Sequence, residues 1–582
     1  MVMYRKNTQK KIQPIWIKAP PPPVALQTDP AAGVNLLSKV EDSRPTNHGR
    51  LDKKEAMVAP NKDVIKTEEL LGHGRFQFHI LVCAQLSAGV LLFHHLSIYL
   101  LAPEVDHWCR PPGDQASLTP DQWKNMSIPF YEDGTYSKCT MYDPLELKRD
   151  NSTEVPCTQW DFDLRPGIDT IVSEWKLVCG KKWVIRVVFV YSLLGGLIFV
   201  PLQGQLADKV GRWPIICVSI TLCFLAAAMA IFSVQVATFA MARMFLTASF
   251  STLKMVLVIL LFESLGDDRR VAYCCFVEMG SVVGSLAAKV LENFQLDWKI
   301  VCMITVAPTV VLMAVFYTAE ESIRWLLSVL DIERVEKVTI RVSRINNADI
   351  DIDAIIGRLI KSDALYSGRS SIALCELLTI PILRFRTLVL SWIWFSLLLS
   401  FYSLDMLGER STGIRLNLLE SLPHLVSVFT SIILLSDYSR KAALSLALPI
   451  SCGLICVLAV SVTIAQHDLA WVLIRVTFSS ISTDFMLVHF YSLELYPTRI
   501  RGTGIGALYF CGKIGASLSP LLVELSDRTH PTAPILVVLA ITTLSLLLVR
   551  FLPETRHHML PDILEDLTQK KVMNPENSEC AK

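Results

Sequence analysis

Several ionisable side chains interrupt the long apolar runs of this sequence. Lys513 stands in Cys511-Gly512-Lys513-Ile514-Gly515, Arg475 and Asp484 share a second run, Arg243 and Lys254 a third, and Glu278 lies in a fourth. At membrane depth such a group costs about 2.5 to 3.5 kcal/mol on insertion scales, so it faces a cavity or a partner. The chemistry on offer is electrostatic capture. A lysine there attracts carboxylates and repels ammonium groups, unless an internal acid such as Asp484 or Glu278 neutralises it. Bond-making chemistry finds no support. There is no His-Glu-x-x-His, no Gly-x-Ser-x-Gly and no phosphate loop, because the glycine before Gly512-Lys513 is wrongly spaced and Ile514 follows. The expectation is a protein that is not an enzyme, needs no cofactor or metal, and does not bind nucleic acid.

The apolar elements must position these charges. Of the 582 residues, 52% are hydrophobic and 19% charged, against about 25% charged in soluble domains; the mean hydropathy is +0.42. A helix of about 20 apolar residues crosses roughly 30 Å of hydrocarbon. Such segments are expected near 78–102, 183–205, 214–233, 236–261, 272–291 and 299–317, and again near 387–408, 417–436, 442–465, 469–492, 503–525 and 533–552. This is an all-α membrane protein of twelve transmembrane helices in two six-helix halves, 77–317 and 387–552, joined by a charged middle loop, 318–386. Glu278 and Lys289 make the fifth segment the least regular. Residues 1–76, basic and carrying the Pro20 to Pro23 run, read as a flexible tail without a cleavable signal peptide, and 553–582 as a second tail.

The net charge of +1 comes from 55 basic and 54 acidic residues that are kept apart. Short loops on one side hold Lys209, Arg212, Arg269, Arg270, Arg440, Lys441, Arg499 and Arg501, which by the positive-inside rule places both tails and the middle loop in the cytoplasm. Residues 103–182 are then outside. They carry Cys109, Cys139, Cys157 and Cys179, with the sequons starting at Asn125 and Asn151, so a disulfide-linked, glycosylated domain is expected and three pairings remain open. These features point to the secretory route and the plasma membrane.

A duplicated six-helix unit suggests a transporter with its binding site between the halves. Gly204-Gln205-Leu206-Ala207-Asp208-Lys209-Val210-Gly211-Arg212, between the second and third helices, resembles the loop motif of the major facilitator superfamily. Gly211 would supply the tight turn, and Asp208 with Arg212 an acid–base latch. From about Phe76 to Thr555 the chain resembles the organic cation, organic anion and carnitine transporters, solute carrier family 22. The matching pieces are His107 to Arg110, Glu174 to Cys179, Glu321-Ser322-Ile323-Arg324-Trp325-Leu326, Glu494 to Arg501 and Leu552 to Thr555. Departures from the pattern are Trp213 in place of a second basic residue, Ile323 in place of a proline, and Ser436-Asp437-Tyr438-Ser439-Arg440, a later copy of the loop motif without its glycine.

The resemblance implies a major facilitator fold and transport of a small organic ion by alternating access, with a counter-ion as a possible second partner. By its distance from the Glu494 to Arg501 motif, Lys513 is similar to the position where organic anion transporters place a basic residue and organic cation transporters an acid. Organic anions are therefore the expected cargo; a cation or carnitine transporter, or a receptor that keeps the fold without transport, are the alternatives. Tyr402 and Phe485 resemble positions lining the central cavity, His94 falls late in the first helix, and Arg475 lies about one turn before the family's basic position, Phe478 here. Glu263 with Arg269 or Arg270 resembles an acidic-then-basic gate, alongside Glu494 and Arg501.

Overall fold

The computed structural model describes residues 71–103, 105–111, 118–131, 134–142, 153–313, 319–348, 376–410, 421–556, 558 and 560–562. The sequon residue Asn151, residues 1–70 of the first tail, most of the second tail and residues 349–375 of the middle loop lie outside these.

Helices occupy all twelve expected positions. They run Arg75–Leu101, Trp183–Val210, Arg212–Ile231, Val236–Ser264, Asp267–Glu292 and Trp298–Leu312, then Pro381–Arg410, Leu422–Asp437, Arg440–Thr463, His467–Leu495, Arg501–Arg528 and Ala533–Val549. Nine among the described residues are long and apolar enough to cross a membrane; the sixth, eighth and twelfth are shorter apolar helices. The fifth is broken into Asp267–Phe276 and Met279–Glu292, and the break falls at Glu278. The fourth is the most enclosed, with every residue from Leu246 to Leu265 buried.

Two seams join the halves: the second helix packs along the eleventh, and the fifth meets the eighth. At the first seam Gly204 and Gly502 oppose each other so closely that a β-carbon on either would strike the other's carbonyl. The glycine run from Gly502 to Gly506 is thus a helix-packing surface, since small residues let membrane helices approach.

Beyond the middle of the chain, the helix Ile332–Asn346 buries Val335, Val338 and Val342. Its last residue closes the first helix. Asn346 Oδ1 accepts the Phe76 N–H at 2.9 Å, and Asn346 Nδ2 donates to the Leu71 carbonyl at 2.9 Å and to Gln77 Oε1 at 3.1 Å. These contacts satisfy backbone groups that a helix start leaves without intrahelical partners.

Between the first two helices, strand β1 (His107–Cys109) pairs antiparallel with β4 (Trp160–Phe162), and β2 (Thr140–Tyr142) with β3 (Glu154–Pro156). Buried Trp123 donates from Nε1 to the Cys109 carbonyl at 2.7 Å, fixing the helix Pro120–Ser127 on which Asn125 is exposed. The cysteines pair 109–157 and 139–179, with Cα separations of 5.4 and 5.7 Å. Peptide mapping without reduction should recover these two links; a 109–139 or 109–179 link would contradict the fold.

Candidate functional site

Charged residues gather at the end of the bundle opposite the 103–182 domain, and they do so twice. In the first half, Arg212 forks onto Glu263 (Nε to Oε2 3.2 Å, Nη2 to Oε1 3.0 Å) and donates from Nη1 to the Ala207 carbonyl at 3.1 Å. Glu321 accepts the backbone N–H groups of Arg212 (2.8 Å) and Trp213 (3.2 Å), and the Ser322 hydroxyl donates to Glu263. The second half repeats each contact. Arg440 forks onto Glu494 (Nε 3.2 Å and Nη2 3.1 Å to Oε1) and donates from Nη1 to the Leu435 carbonyl at 2.8 Å. Glu554 accepts the N–H groups of Arg440 (3.0 Å) and Lys441 (3.1 Å), and the Thr555 hydroxyl donates to Glu494. Gly211 has φ +109°, a left-handed-side conformation suited to glycine, and a β-carbon there would meet the Glu321 carboxylate.

The first copy reaches across the seam. Arg501, from the second half, donates from Nη1 to Glu263 Oε1 at 2.6 Å, and Glu263 is buried between two guanidiniums. Asp208 accepts the N–H groups of Gly502 (3.1 Å) and Thr503 (2.6 Å) and the Thr503 hydroxyl (2.7 Å), so it caps the eleventh helix, where an anion meets the positive end of the helix dipole. In the repeat Ser436 stands where Asp208 would be, four residues before the arginine.

Glu263 does not pair with Arg269 or Arg270. After Gly266 the chain turns away: Arg269 is exposed, and Arg270 donates to the Phe262 and Leu265 carbonyls and to Asp267. Its partners come instead from 51 residues earlier and 238 later in the chain.

Burial pushes the Glu321 carboxyl above the usual range. Burial acts the same way on Glu554, but backbone N–H groups of Arg556, Thr555 and Lys441 outweigh it and hold that carboxyl low. A depressed carboxyl adds stability present above its unfolded value and lost as pH falls through the folded one; a raised carboxyl costs stability once pH exceeds its unfolded value. Near neutral pH, Glu554→Gln should therefore lower the Tm of the purified protein more than Glu321→Gln. The reverse order would contradict this.

The second group lies between the halves. Lys513, about 18 Å along the eleventh helix from Arg501 at 1.5 Å per residue, is 4% exposed and rests over Gly196 of the second helix. Its Nζ is 3.5 Å from Tyr402 Oη and 5.6 Å above that ring. The two acids that could neutralise it are engaged elsewhere. Glu278 pairs with Lys254 at 2.7 Å and accepts the Ser281 hydroxyl at 2.8 Å, and Asp484 accepts the Ser451 hydroxyl at Oδ2 at 2.5 Å, its Oδ1 being buried without a partner. Among the described residues no carboxylate pairs with Lys513.

An aromatic wall continues from Tyr402. Trp394, two turns earlier on the seventh helix, contacts Phe485 at 5.1 Å, His489 at 5.4 Å and Tyr509 at 5.0 Å between ring centroids. A cavity lined by Phe485, Met486, His489, Cys274, Cys275 and Glu278 opens beside it. His489 and His95 each leave a buried Nε2 without a hydrogen-bond partner.

The structure thus brings Lys513, Tyr402 and Phe485 into one region. It turns His94 away from them: the ring points into the first half, with Nε2 3.1 Å from Thr247 Oγ1, while adjacent His95 meets Tyr402 edge-on at 6.1 Å. Successive helical residues differ in direction by about 100°, so one residue decides which histidine faces the seam. Arg475 packs on Gly408, and Phe478 lies against Phe401 with tilted rings, 4.6 Å between centroids. Sequence reasoning placed Arg440 in a second copy of the loop motif without its partner Glu494, and missed the Lys254–Glu278 pair and His489 as a lining group. The near-equal spacing of Arg212, Glu263 and Glu321 to Arg440, Glu494 and Glu554 was the available signal for that partner.

Comparison with known proteins agrees with this geometry. Residues 182–520 match the profile of the Major Facilitator Superfamily. The chain is 26% identical to solute carrier family 22 member 7 of Mus musculus (86% of this chain, 97% of that one), 27% to organic anion transporter 3 of Mus musculus (86% and 95%) and 24% to an organic cation transporter protein of Drosophila melanogaster (85% and 92%). Among solved structures, the proton:xylose symporter XylE bound to 6-bromo-6-deoxy-D-glucose superposes with a TM-score of 0.57 at 14% identity, over 84% of this chain and 99% of that one, a likeness of fold. With the profile covering more than half of its length and twelve helices packed as two sixes, the chain belongs to the Major Facilitator Superfamily, and its relatives are members of solute carrier family 22.

Proposed function

We propose that this protein carries small organic anions across a membrane by alternating access about the space between its halves. One observation carries the reading: Lys513 is buried at the seam and pairs with neither candidate acid, Glu278 being held by Lys254 and Asp484 bonding the Ser451 hydroxyl instead. A cation held in a low-dielectric site beside a flat aromatic wall favours a carboxylate joined to an apolar or aromatic body. Tyr402 and Phe485 form part of that wall, His95 replaces His94 in it, and Arg475 lies farther along the tenth helix. Asp208, Gly211, Arg212, Glu263 and Arg501 close the cytoplasmic end, with Glu494 in the paralleling cluster. Both termini are cytoplasmic and the membrane is the plasma membrane.

The test is uptake by cells expressing the full chain. A labelled dicarboxylate or an aromatic acid resembling hippurate should accumulate in preference to a quaternary ammonium. Preference for the ammonium would overturn the anion reading, and saturable binding without flux in reconstituted vesicles would point to a receptor.

A further inference from the structure

Past the twelfth helix the chain returns to the latch. Leu560 and Pro561 are buried, and Leu560 packs into the core of the bundle. The Pro561 carbonyl accepts the Thr498 N–H at 3.0 Å, and Asp562 Oδ1 accepts the Thr498 hydroxyl at 2.7 Å. Thr498 is 0% exposed and opens the tight turn Thr498–Ile500 that joins the tenth helix to the eleventh. Its remaining polar group, the carbonyl, accepts Arg212 Nη2 at 2.8 Å. One residue of the second half is thus held by the latch arginine of the first half and, at its other two polar groups, by the segment that follows the last helix.

The same carboxylate oxygen also reaches the first half. Arg324 Nη1 donates to Asp562 Oδ1 at 3.3 Å. Arg324 lies on the helix Ile323–Ser328, which is tied to the first half where the Ser322 hydroxyl donates to Glu263 and Trp325 Nε1 donates to the Asp208 carbonyl at 2.9 Å. Asp562 therefore joins a group from each side of the seam, and if the two sides part it can keep only one of them. The Asp562 side chain is 44% exposed, against 0% for Glu263. A contact this open to water is a modest, reversible tie.

We infer that residues 560–562 form a strap that holds the latch end of the seam closed, and that lifting it makes that end open more often. The inference rests on the alternating-access reading only for what happens at the far end of the bundle. The experiment is hydrogen exchange read by mass spectrometry on the full-length detergent-purified protein, on Asp562→Ala and on a chain ending at Arg556. Peptides spanning 203–210 and 502–508 lie at the latch end and contain neither the strap nor Thr498 or Arg324. They should exchange about 10-fold faster in Asp562→Ala, as expected for losing hydrogen bonds to a charged group, and at least as fast in the shortened chain. Peptides at the opposite ends of the same two helices, 183–190 and 521–528, should exchange more slowly, because one end closes as the other opens. Faster exchange confined to the contact residues 322–328 and 496–501, or spread evenly over all helices, would overturn the strap. Faster exchange at the latch end with none slowed at the far end would keep the strap and count against alternating access.

Discussion

Glu263→Gln is expected to cost about 3 to 5 kcal/mol of stability, because it takes a shared carboxylate from two buried guanidiniums at once and leaves Arg212 only its ion pair with Asp208 at 3.3 Å. Arg212 and Arg501 are 1% and 0% exposed and meet on this one carboxylate, so neither can turn to water when it is neutralised. The loss also falls across the seam, since Arg501 belongs to the half that Arg212 does not. Glu494→Gln should do less: its ion-pair partner among the described residues is Arg440, of its own half and partly buried. Thermal unfolding of the two purified variants checks the order. Uptake should fall further in Glu263→Gln than its lost stability explains if, as proposed, the latch holds one of two conformations between which the halves alternate. Equal stability losses in the two variants would mean that the cross-seam arginine contributes nothing.

The second large effect concerns Lys513. A hydrogen-bonded contact to a charged group is worth about 1.5 to 3 kcal/mol, so Lys513→Met should raise the KM for an organic anion about 10- to 150-fold. Lys513→Glu should abolish anion uptake outright, since it places a carboxylate against a carboxylate. Tyr402→Phe, which removes only a 3.5 Å contact, should change KM by a few-fold at most. Anion uptake unchanged in Lys513→Glu would remove this residue from the site.

The spans were legible because apolar length alone marks a membrane helix, and the break in the fifth fell on Glu278, where a charge interrupted the run. Lys513 stood out for the same reason, as a cost that composition makes visible. What the sequence could not display were partners. Whether Lys513 met Glu278 or Asp484 depended on Lys254 and Ser451, each on a different helix from the acid it engages. The choice between His94 and His95 rested on a rotation that no apolar pattern fixes in a helix polar on neither face. The cysteine pairing needed the strand register, in which Cys109 lies opposite Trp160 and so beside Cys157. Glu263 was assigned to the basic pair nearest in sequence, whereas its arginines are remote in sequence and near in space.

The Asn346 contact has a consequence for how the protein is made. The Phe76 N–H, in the first turn of the first helix, is bonded to a side chain 270 residues later. At about 5 to 20 residues per second, roughly 15 to 55 seconds of synthesis separate the two. The opening turn of the first membrane helix therefore leaves the ribosome without its closing partner and waits until five further helices and part of the linker have been made. Until then the first half is a structure unfinished at its own beginning, and the linker is the part that completes it.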